Sequence, residues 1–455
     1  MEIAERSEAE RIDFVRQLIN EHKSSKLYQD AVIAERYYNR HNVTIEQYQK
    51  LLYTITGKAV PDNYSSNWKM RHGFFRIFTT QEVQHLLGNG ITWTDDKTKN
   101  KLGDDIDTKT QKAAKAALIG AVSFGFYNLD HVDVFKVTEF APLYDEEDGA
   151  LKSGVRFWQI DSTKPLRATL YELDGYTDYI WRGSEGSVLH DKRPYVVYQK
   201  ESVADGTEIY DYRNYPSFPI VPLWADEDSK ESTLVGIREQ IDCYDLIKSG
   251  FANDVDDASM IYWTIQNAGG MDDVDLAKFI ERMHTVRAAA VDADGATAEA
   301  HTMDVPSESR EKILDRLKDD LYMDSMALDV KNISQGGATT ATQIKASYKP
   351  LDSKCDDLEY SVITWLKQIC ALAGIEGENP TFTRDYIINK AEEIQTVVQG
   401  AQFLTEDYVT TKIMTVLGDG DQAEDLIRQR IADDLAVDYD DEEEQTETEE
   451  TPAQE

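Results

Sequence analysis

Residues 232–260 read STLVGIREQIDCYDLIKSGFANDVDDASM. Leu234, Ile237, Ile241, Tyr244, Ile247, Phe251 and Val255 recur at intervals of three and four, the spacing of one helix face. Glu239, Asp242, Asp245, Asp254, Asp256 and Asp257 fall on the other faces. The spacing predicts a single helix over the whole stretch, about 43 Å long at ~1.5 Å per residue. Residues 261–305 then read as a small α/β module. It has strands at 261–265, 286–291 and 296–305, a short helix marked by Leu276, Phe279, Ile280 and Met283, and a turn at Asp294-Gly295. A module of this size, with no disulfide or metal, rarely holds a core alone, so it is expected to pack on copies of itself or on a partner. Pro306-Ser307 opens a second helix, with Ser307 expected at the N-cap, running through Ile313, Leu314, Leu317, Leu321, Met326 and Leu328 to about residue 330. The order is long helix, small module, return helix: a hairpin with a knob at its tip.

Upstream, residues 8–20 and 28–40 are predicted helical, and Thr44-Ile45-Glu46-Gln47 has the form of a capping box with Thr44 at the N-cap. Residues 74–87 and 108–119 also read as helices. From residue 124 to 224 the period changes to two. Segments 132–137, 154–160, 166–173, 177–181 and 195–199 carry aromatic and β-branched residues, with turn pairs at Asp148-Gly149, Asp174-Gly175 and Asp205-Gly206, so this region is antiparallel β. Pro216, Pro219 and Pro222 make residues 215–222 an extended exit. Downstream, Ser334-Gln335-Gly336-Gly337-Ala338-Thr339-Thr340 is a flexible loop. A helix over 342–374 follows, kinked or broken near Pro350, then helices over 383–432 with breaks at 404–405 and 418–420.

The chain has 455 residues, with 48 Lys and Arg against 85 Asp and Glu, a net charge of −37. This excludes a protein that grips nucleic acid through a broad basic face, because such affinity comes from counterion release by Lys and Arg. It does not exclude one that stays near DNA without sticking to it. Hydrophobic residues at 41% exclude a disordered chain. Residues 437–455 hold ten acids and no Lys or Arg and read as a solvated, disordered tail; without them the body still carries −27, from −37 + 10. Cys243, Cys355 and Cys370 are scattered and odd in number, which argues against a disulfide scaffold. The N-terminus lacks signal-peptide regions, and the longest nearly apolar run, 116–126, is too short for a bilayer, so a soluble, intracellularly made protein without membrane contact is expected.

Catalytic signatures fail in turn. There is no phosphate-binding G-x-x-x-x-G-K-[ST], no H-E-x-x-H and no G-x-S-x-G. Setting Gly295 at position 6 of a Ca²⁺ loop puts Ala290 and His301 where carboxylates are required, so a hairpin turn is the better reading. The eight histidines are dispersed, and carboxylate pairs are too common among 85 acids to mark a site. No catalytic residue, metal site or cofactor is expected.

Five strings carry a family likeness: Leu143-Tyr144-Asp145-Glu146-Glu147-Asp148-Gly149-Ala150, Arg156-Phe157-Trp158-Gln159-Ile160-Asp161, Arg167-Ala168-Thr169-Leu170-Tyr171-Glu172, Asn214 to Leu223 (NYPSFPIVPL) and Gly236-Ile237-Arg238-Glu239-Gln240-Ile241-Asp242. With the helix–module–helix–loop order, they resemble the portal proteins of tailed bacteriophages infecting Gram-positive bacteria, over roughly residues 10–430. The resemblance implies an α+β portal fold. Residues 1–230 would be the wing, helical and then β-rich; 231–260 and 306–330 the stem helices; 261–305 an α/β clip; 331–341 the tunnel loop. Residues 342–376 would form a long wing helix, 377–436 the crown and 437–455 the acidic tail. It implies a ring, usually of twelve copies, at one capsid vertex, through which double-stranded DNA is packaged and ejected without sequence-specific binding. The implied partners are the terminase large subunit, the major capsid and scaffolding proteins, and a head-completion or adaptor protein. The implied place is the virion, and the host cytoplasm during assembly.

On this reading Ser334, Gln335, Gly336, Gly337, Thr339 and Thr340 form the DNA-proximal loop. Asp254, Asp256 and Asp257 would line the tunnel and repel phosphates, leaving the duplex free to slide; an outer, solvated face is the alternative for these three. Two other readings of the chain stand beside it: an acidic intracellular hydrolase using a carboxylate pair, and a non-viral self-associating scaffold.

Overall fold

The computed structural model describes residues 6–53, 57–62, 65–95, 97–202, 208–258, 262–266, 297–301, 307–331, 341–384, 386 and 390–431. The chain divides into two compact units. One joins Met1–Ala327 with Ser353–Arg384, and the other joins Leu328–Asp352 with Asp385–Glu455. Helices and an antiparallel β region both contribute, which is the α+β class expected from the sequence.

In the first unit, α1 (Glu8–Ser24) begins with a capping box. The Ser7 hydroxyl accepts the Glu10 N–H, and the Glu10 carboxylate accepts the Ser7 N–H at 2.8 Å. Ser25 ends α1 in extended backbone and its hydroxyl caps α2 (Lys26–Tyr38) through Tyr28 N–H. The short helix α3 (Val43–Gln47) corrects one expectation. Asn42, not Thr44, precedes it, no side chain caps it, and the Thr44 hydroxyl donates instead to Asp242 at 2.7 Å. A small hairpin of β1 (Leu51–Tyr53) and β2 (Ala59–Pro61) follows. Then come α4 (Phe74–Leu87), the short β3 (Ile91–Thr92), α5 (Lys97–Leu102) and α6 (Ile106–Gly120).

The β region holds more strands than the sequence marked. β4 (Val122–Asn128) and β5 (His131–Lys136) form a hairpin. β6 (Phe140–Tyr144), β7 (Leu151–Trp158), β8 (Leu166–Glu172), β9 (Gly175–Arg182) and β10 (Glu185–Arg193) meander into a five-stranded antiparallel sheet in the order β10-β9-β8-β7-β6. Asp148 and Gly149 lie in the β6–β7 loop, and Asp174-Gly175 stands at the β8–β9 turn. Asp205-Gly206 lies outside the described residues, between β11 (Val196–Ser202) and β12 (Glu208–Arg213), which pair. The proline-rich exit becomes β13 (Ile220–Trp224), an edge strand paired with β4 in the order β13-β4-β5. Pro222 is tolerated there because an edge strand leaves one row of amides unpaired.

Two cores hold the sheets. Val15, Leu18 and Ile19 of α1 bury against Val155, Phe157, Leu170 and Trp181 of the five-stranded sheet. Phe124, Phe126, Phe135 and Phe140 form the second core with Tyr171 and Ile220. Each fully buried large apolar side chain is worth about 1.5–3 kcal/mol. Gly125 shows how closely the parts approach. A Cβ there would sit 2.3 Å from Cζ2 of Trp365, whose Nε1 donates to Val221 O at 3.2 Å. Only glycine lets that indole lie on β4.

Trp365 belongs to the long helix Ala341–Leu372, which runs through Pro350 without a break; the expected 342–374 helix is continuous. It stops in a Schellman motif. Gly374 takes φ +68°, Ile375 N–H reaches Cys370 O at 2.8 Å and Gly374 N–H reaches Ala371 O at 3.1 Å. Cys355 and Cys370 are buried, and burial pushes the Cys370 thiol up to about 11. After it, Glu378 ties this segment to α5. Burial works against its charge, but the Thr94 N–H at 2.6 Å and the Thr98 hydroxyl at 2.8 Å outweigh that and hold its carboxyl below the usual range.

The second unit contains helices Lys390–Gly400 and Glu406–Leu417 and a further helical run over 423–431, with breaks at 404–405 and 418–420 where the sequence placed them. Arg430 binds Glu406 at 3.1 Å and Asp407 at 3.2 Å, fastening the last run to the helix before it. Among the described residues no helix is long and apolar enough to cross a membrane.

Candidate functional site

The hairpin foreseen from residues 232–330 is present, with shorter helices. Its outbound helix, α7 (Arg238–Ala258), starts at Arg238 rather than Ser232, and residues 259–260 lie outside the described residues. Residues 232–237 are turns held by Thr233 N–H and hydroxyl, both donating to Leu118 O, and by Leu234 N–H on the Ser232 hydroxyl. Leu234 and Ile237 are buried in those turns, so the apolar spacing continues past the true helix start. The return helix is described over Ser307–Asp324, and the residues before it, 302–306, lie outside the described residues. It ends where Met326 takes φ +51°, short of the expected 330.

The two helices run antiparallel. Gln240 bonds Asp324, and Arg310 meets Asp254 at 2.5 Å; the contacts are fourteen residues apart on each helix (254 − 240 and 324 − 310). Between them β14 (Tyr262–Gln266) pairs antiparallel with β15 (Thr297–His301), with Tyr262 opposite His301. These strands overlap two of the three expected in the 261–305 module. Its expected helix and the 286–291 strand lie outside the described residues.

The root of the hairpin is a packed core. Leu234, Ile237, Ile241 and Leu321 bury among Ala34 and Tyr37 of α2 and Phe74, Phe75 and Phe78 of α4. Further along, the stripe opens on α7, while on the return helix Leu314 stays buried beside an exposed Ile313. Ile241 is 1% exposed but Val255 is 52%, and Leu321 is 0% exposed but Ile313 is 48%.

A second face of α7 is polar. Asp242, Asp245, Ser249, Asn253 and Asp256 recur at intervals of three, four, four and three. Residues 65–72 lie along this face as an extended strap, antiparallel to the helix. The Trp68 N–H donates to Asn253 Oδ1 at 2.7 Å, the Met70 N–H to Ser249 Oγ at 2.9 Å and the His72 N–H to Asp245 Oδ1 at 3.0 Å. The Ser66 hydroxyl donates to Asp256, completing the series. Alternate amides of an extended strand thus meet successive turns of a helix. Asp245 is fully buried and also receives Asn42 Nδ2 and His72 Nδ1, the latter at 2.8 Å. A buried carboxylate is tolerable only with such a set of donors. One turn earlier, Asp242 accepts from Thr44 and from the Tyr37 hydroxyl. Burial raises the Tyr37 phenol, and the Asp242 carboxylate adds to it.

The sequence-predicted site residues are placed as follows. Ser334, Gln335, Gly336, Gly337, Thr339 and Thr340 lie outside the described residues. Asp254 faces the return helix through Arg310, whose guanidinium also sits 5.9 Å from the Phe251 ring. Asp256 is on the strap face, and Asp257 is in the last turn of α7. At about 100° per residue, Asp254 and Asp256 are about 160° apart around the axis and share no face. The strap escaped sequence reading. Its one available signal was the stripe of Asp, Ser and Asn inside a helix, where such residues are poor formers unless their side chains bond elsewhere.

Compared with known proteins, residues 22–429 match the family model described as phage portal protein, SPP1 Gp6-like. The chain belongs to this family of phage portal proteins, and its role is that of a portal at the capsid vertex. It is 25% identical over 421 residues to the portal protein of Bacillus phage SPP1, covering 85% of this chain and 79% of that one. To the portal protein of Clostridium phage phiCD119 it is 29% identical over 188 residues, 39% of this chain and 41% of that one. Among solved structures, a chain of the virion of a native gene transfer agent particle gives a TM-score of 0.43 at 10% identity, covering 86% of this chain and 93% of that one.

Ser249→Ala and Asn253→Ala are each expected to lower the stability of the purified chain by about 1–2 kcal/mol, since each leaves a strap amide without its acceptor. Because the rungs adjoin, the double variant should depart from the sum. Urea unfolding measures this. Midpoints within about 0.5 kcal/mol of the parent for all three, the range of ordinary surface changes, would show that the strap does not hold the helix.

Proposed function

We propose that identical copies of this chain close into a ring, of the twelve-membered kind usual in the family, and that DNA enters and leaves the capsid through its bore. The observation that carries this is the family match over residues 22–429. Two features support it. The apolar stripe of α7 is covered at its root at Ile241 and exposed at Val255, as expected of a surface completed by neighbouring copies. The chain's charge of −37 suits a conduit that must not retain phosphates.

In this reading residues 1–230 form the wing, 231–260 and 306–330 the stem, 261–305 the clip, 331–341 the tunnel loop, 342–376 the long wing helix and 377–436 the crown. The clip is the docking place for the terminase large subunit and later for a head-completion or adaptor protein. Capsid and scaffolding proteins meet the ring during assembly in the host cytoplasm. The portal is a structural component, and ATP hydrolysis is supplied by the separate motor. The loop Ser334 to Thr340 is the DNA-proximal element. Asp254, Asp256 and Asp257 add negative charge to the stem. Asp254 shares its charge with Arg310 and Asp256 is tied to Ser66, so each of these two repels less than a free carboxylate would.

Native mass spectrometry of the purified chain should show one closed oligomer of about twelve subunits. Monomers under every assembly condition would refute the ring. Rings carrying Asp257→Lys should gain non-specific affinity for duplex DNA that weakens steeply between about 50 and 200 mM salt. DNA binding and translocation identical to those of the parent ring would remove Asp257 from the bore.

A further inference from the structure

The three-stranded sheet β13-β4-β5 carries opposite charge at its two edges. One row of its register reads Leu223, Ser123, Lys136, from edge to edge. Beside Lys136 is a pocket of about 170 Å³, walled by Lys112 and Lys115 of α6, by Glu35 and Tyr38 of α2 and by Asn39, which ends α2. Lys136 is engaged by Glu35 at 2.9 Å, and the Thr138 hydroxyl reaches the same oxygen at 3.3 Å. Lys112 and Lys115 carry no ion pair among the described residues. Two lysines one turn apart without a carboxylate stand out in a chain of 85 acids and 48 bases.

At the other edge β13 leads into the turn Asp226-Glu227-Asp228, which is exposed and walls a groove of about 680 Å³ with Asp357 of the long helix. Asp226 shapes the turn by accepting the Asp228 N–H at 2.9 Å. Glu227 and Asp228 have no basic partner among the described residues. The groove's own lysine, Lys354, is held at 2.7 Å by Glu82, a buried carboxyl that burial pushes up and Lys354 partly restores. Helix α6 separates the two places: Ala116, Ile119 and Gly120 wall the basic pocket, and Leu118 walls the acidic groove.

A ring built head to tail needs two different, complementary patches on separate flanks of each copy. We propose that the acidic turn at 226–228 of one copy docks in the Lys112–Lys115 pocket of the next, with Glu227 and Asp228 pairing with the two lysines. This inference rests on the ring reading above. The pocket has room for side chains and not for a folded element, which fits a turn. The pairing neutralises charges that would otherwise repel between copies carrying −37 each, and it fixes the register of neighbours. Free duplex DNA is the other polyanion that could use the two lysines.

The test is a charge swap on the full chain, read by native mass spectrometry, with thermal unfolding to confirm folding. Lys112→Glu/Lys115→Glu and Glu227→Lys/Asp228→Lys should each raise the concentration at which rings dissociate by about tenfold or more, the equivalent of ~1.4 kcal/mol. Combining all four should restore rings. The milder Lys112→Gln/Lys115→Gln should give an intermediate loss, which serves if a reversal fails to fold. Rings unchanged in the folded lysine variants, or no recovery in the fourfold variant, would overturn the contact while leaving the ring standing. Loss of DNA binding with rings unchanged would assign the lysines to DNA and overturn it too. Monomers from the unaltered chain would instead overturn the ring reading itself.

Discussion

Three backbone amides, at Trp68, Met70 and His72, hold the outbound helix in place by donating to Asn253, Ser249 and Asp245. The match is geometric. An extended strand advances about 6.7 Å per two residues, and a helix about 6.0 Å per four. The difference of under 1 Å per rung is small enough for three rungs and would defeat a longer series. Each bond joins main chain to side chain across 173 to 185 residues of sequence. The strap therefore fixes α7 against α2, α3 and α4 more firmly than the apolar root alone, since apolar contacts permit sliding and directed hydrogen bonds do not.

This constraint sorts the acids of α7. Asp242 and Asp245 are consumed in holding the N-terminal helices, Asp256 binds the strap and Asp254 closes the hairpin through Arg310. A helix that reads in sequence as a negatively charged rod has Asp242 and Asp245 turned toward its neighbours, and Asp254 and Asp256 each engaged by a donor. That eases the folding of an acidic chain: four carboxylates of α7 that would repel one another, Asp242, Asp245, Asp254 and Asp256, are each given a donor. It also narrows what remains to meet DNA. In the proposed ring, repulsion comes from the few acids left over together with the field of the whole chain.

Much of the fold was legible in the sequence. The helix of residues 74–87, the breaks at 404–405 and 418–420, the hairpin order and the position of the antiparallel region rest on local signals, which periodicity and turn residues carry. The errors share one cause. Thr44 satisfies the capping pattern locally, but its hydroxyl is taken by Asp242, 198 residues away. Leu234 and Ile237 keep helical spacing while lying in turns, because burial against α2 and α4 selects apolar residues there whatever the backbone does. β4, β6 and β10 were not marked as separate strands; β10 in particular is exposed along most of its length and lacks an alternating pattern. Of the candidate site, the loop from Ser334 to Thr340 is outside the described residues, and the strap could not be read at all. Its donors are main-chain amides, which no residue type announces.

Hydrogen–deuterium exchange at single-residue resolution tests the central claim most directly. The amides of Trp68, Met70 and His72 should exchange slowly, as core-helix amides do, while the Asn253→Ala chain should lose protection first at Trp68. Exchange of all three at the rate of an open loop in the parent chain would contradict the account, for the helix would then be held by its apolar root alone.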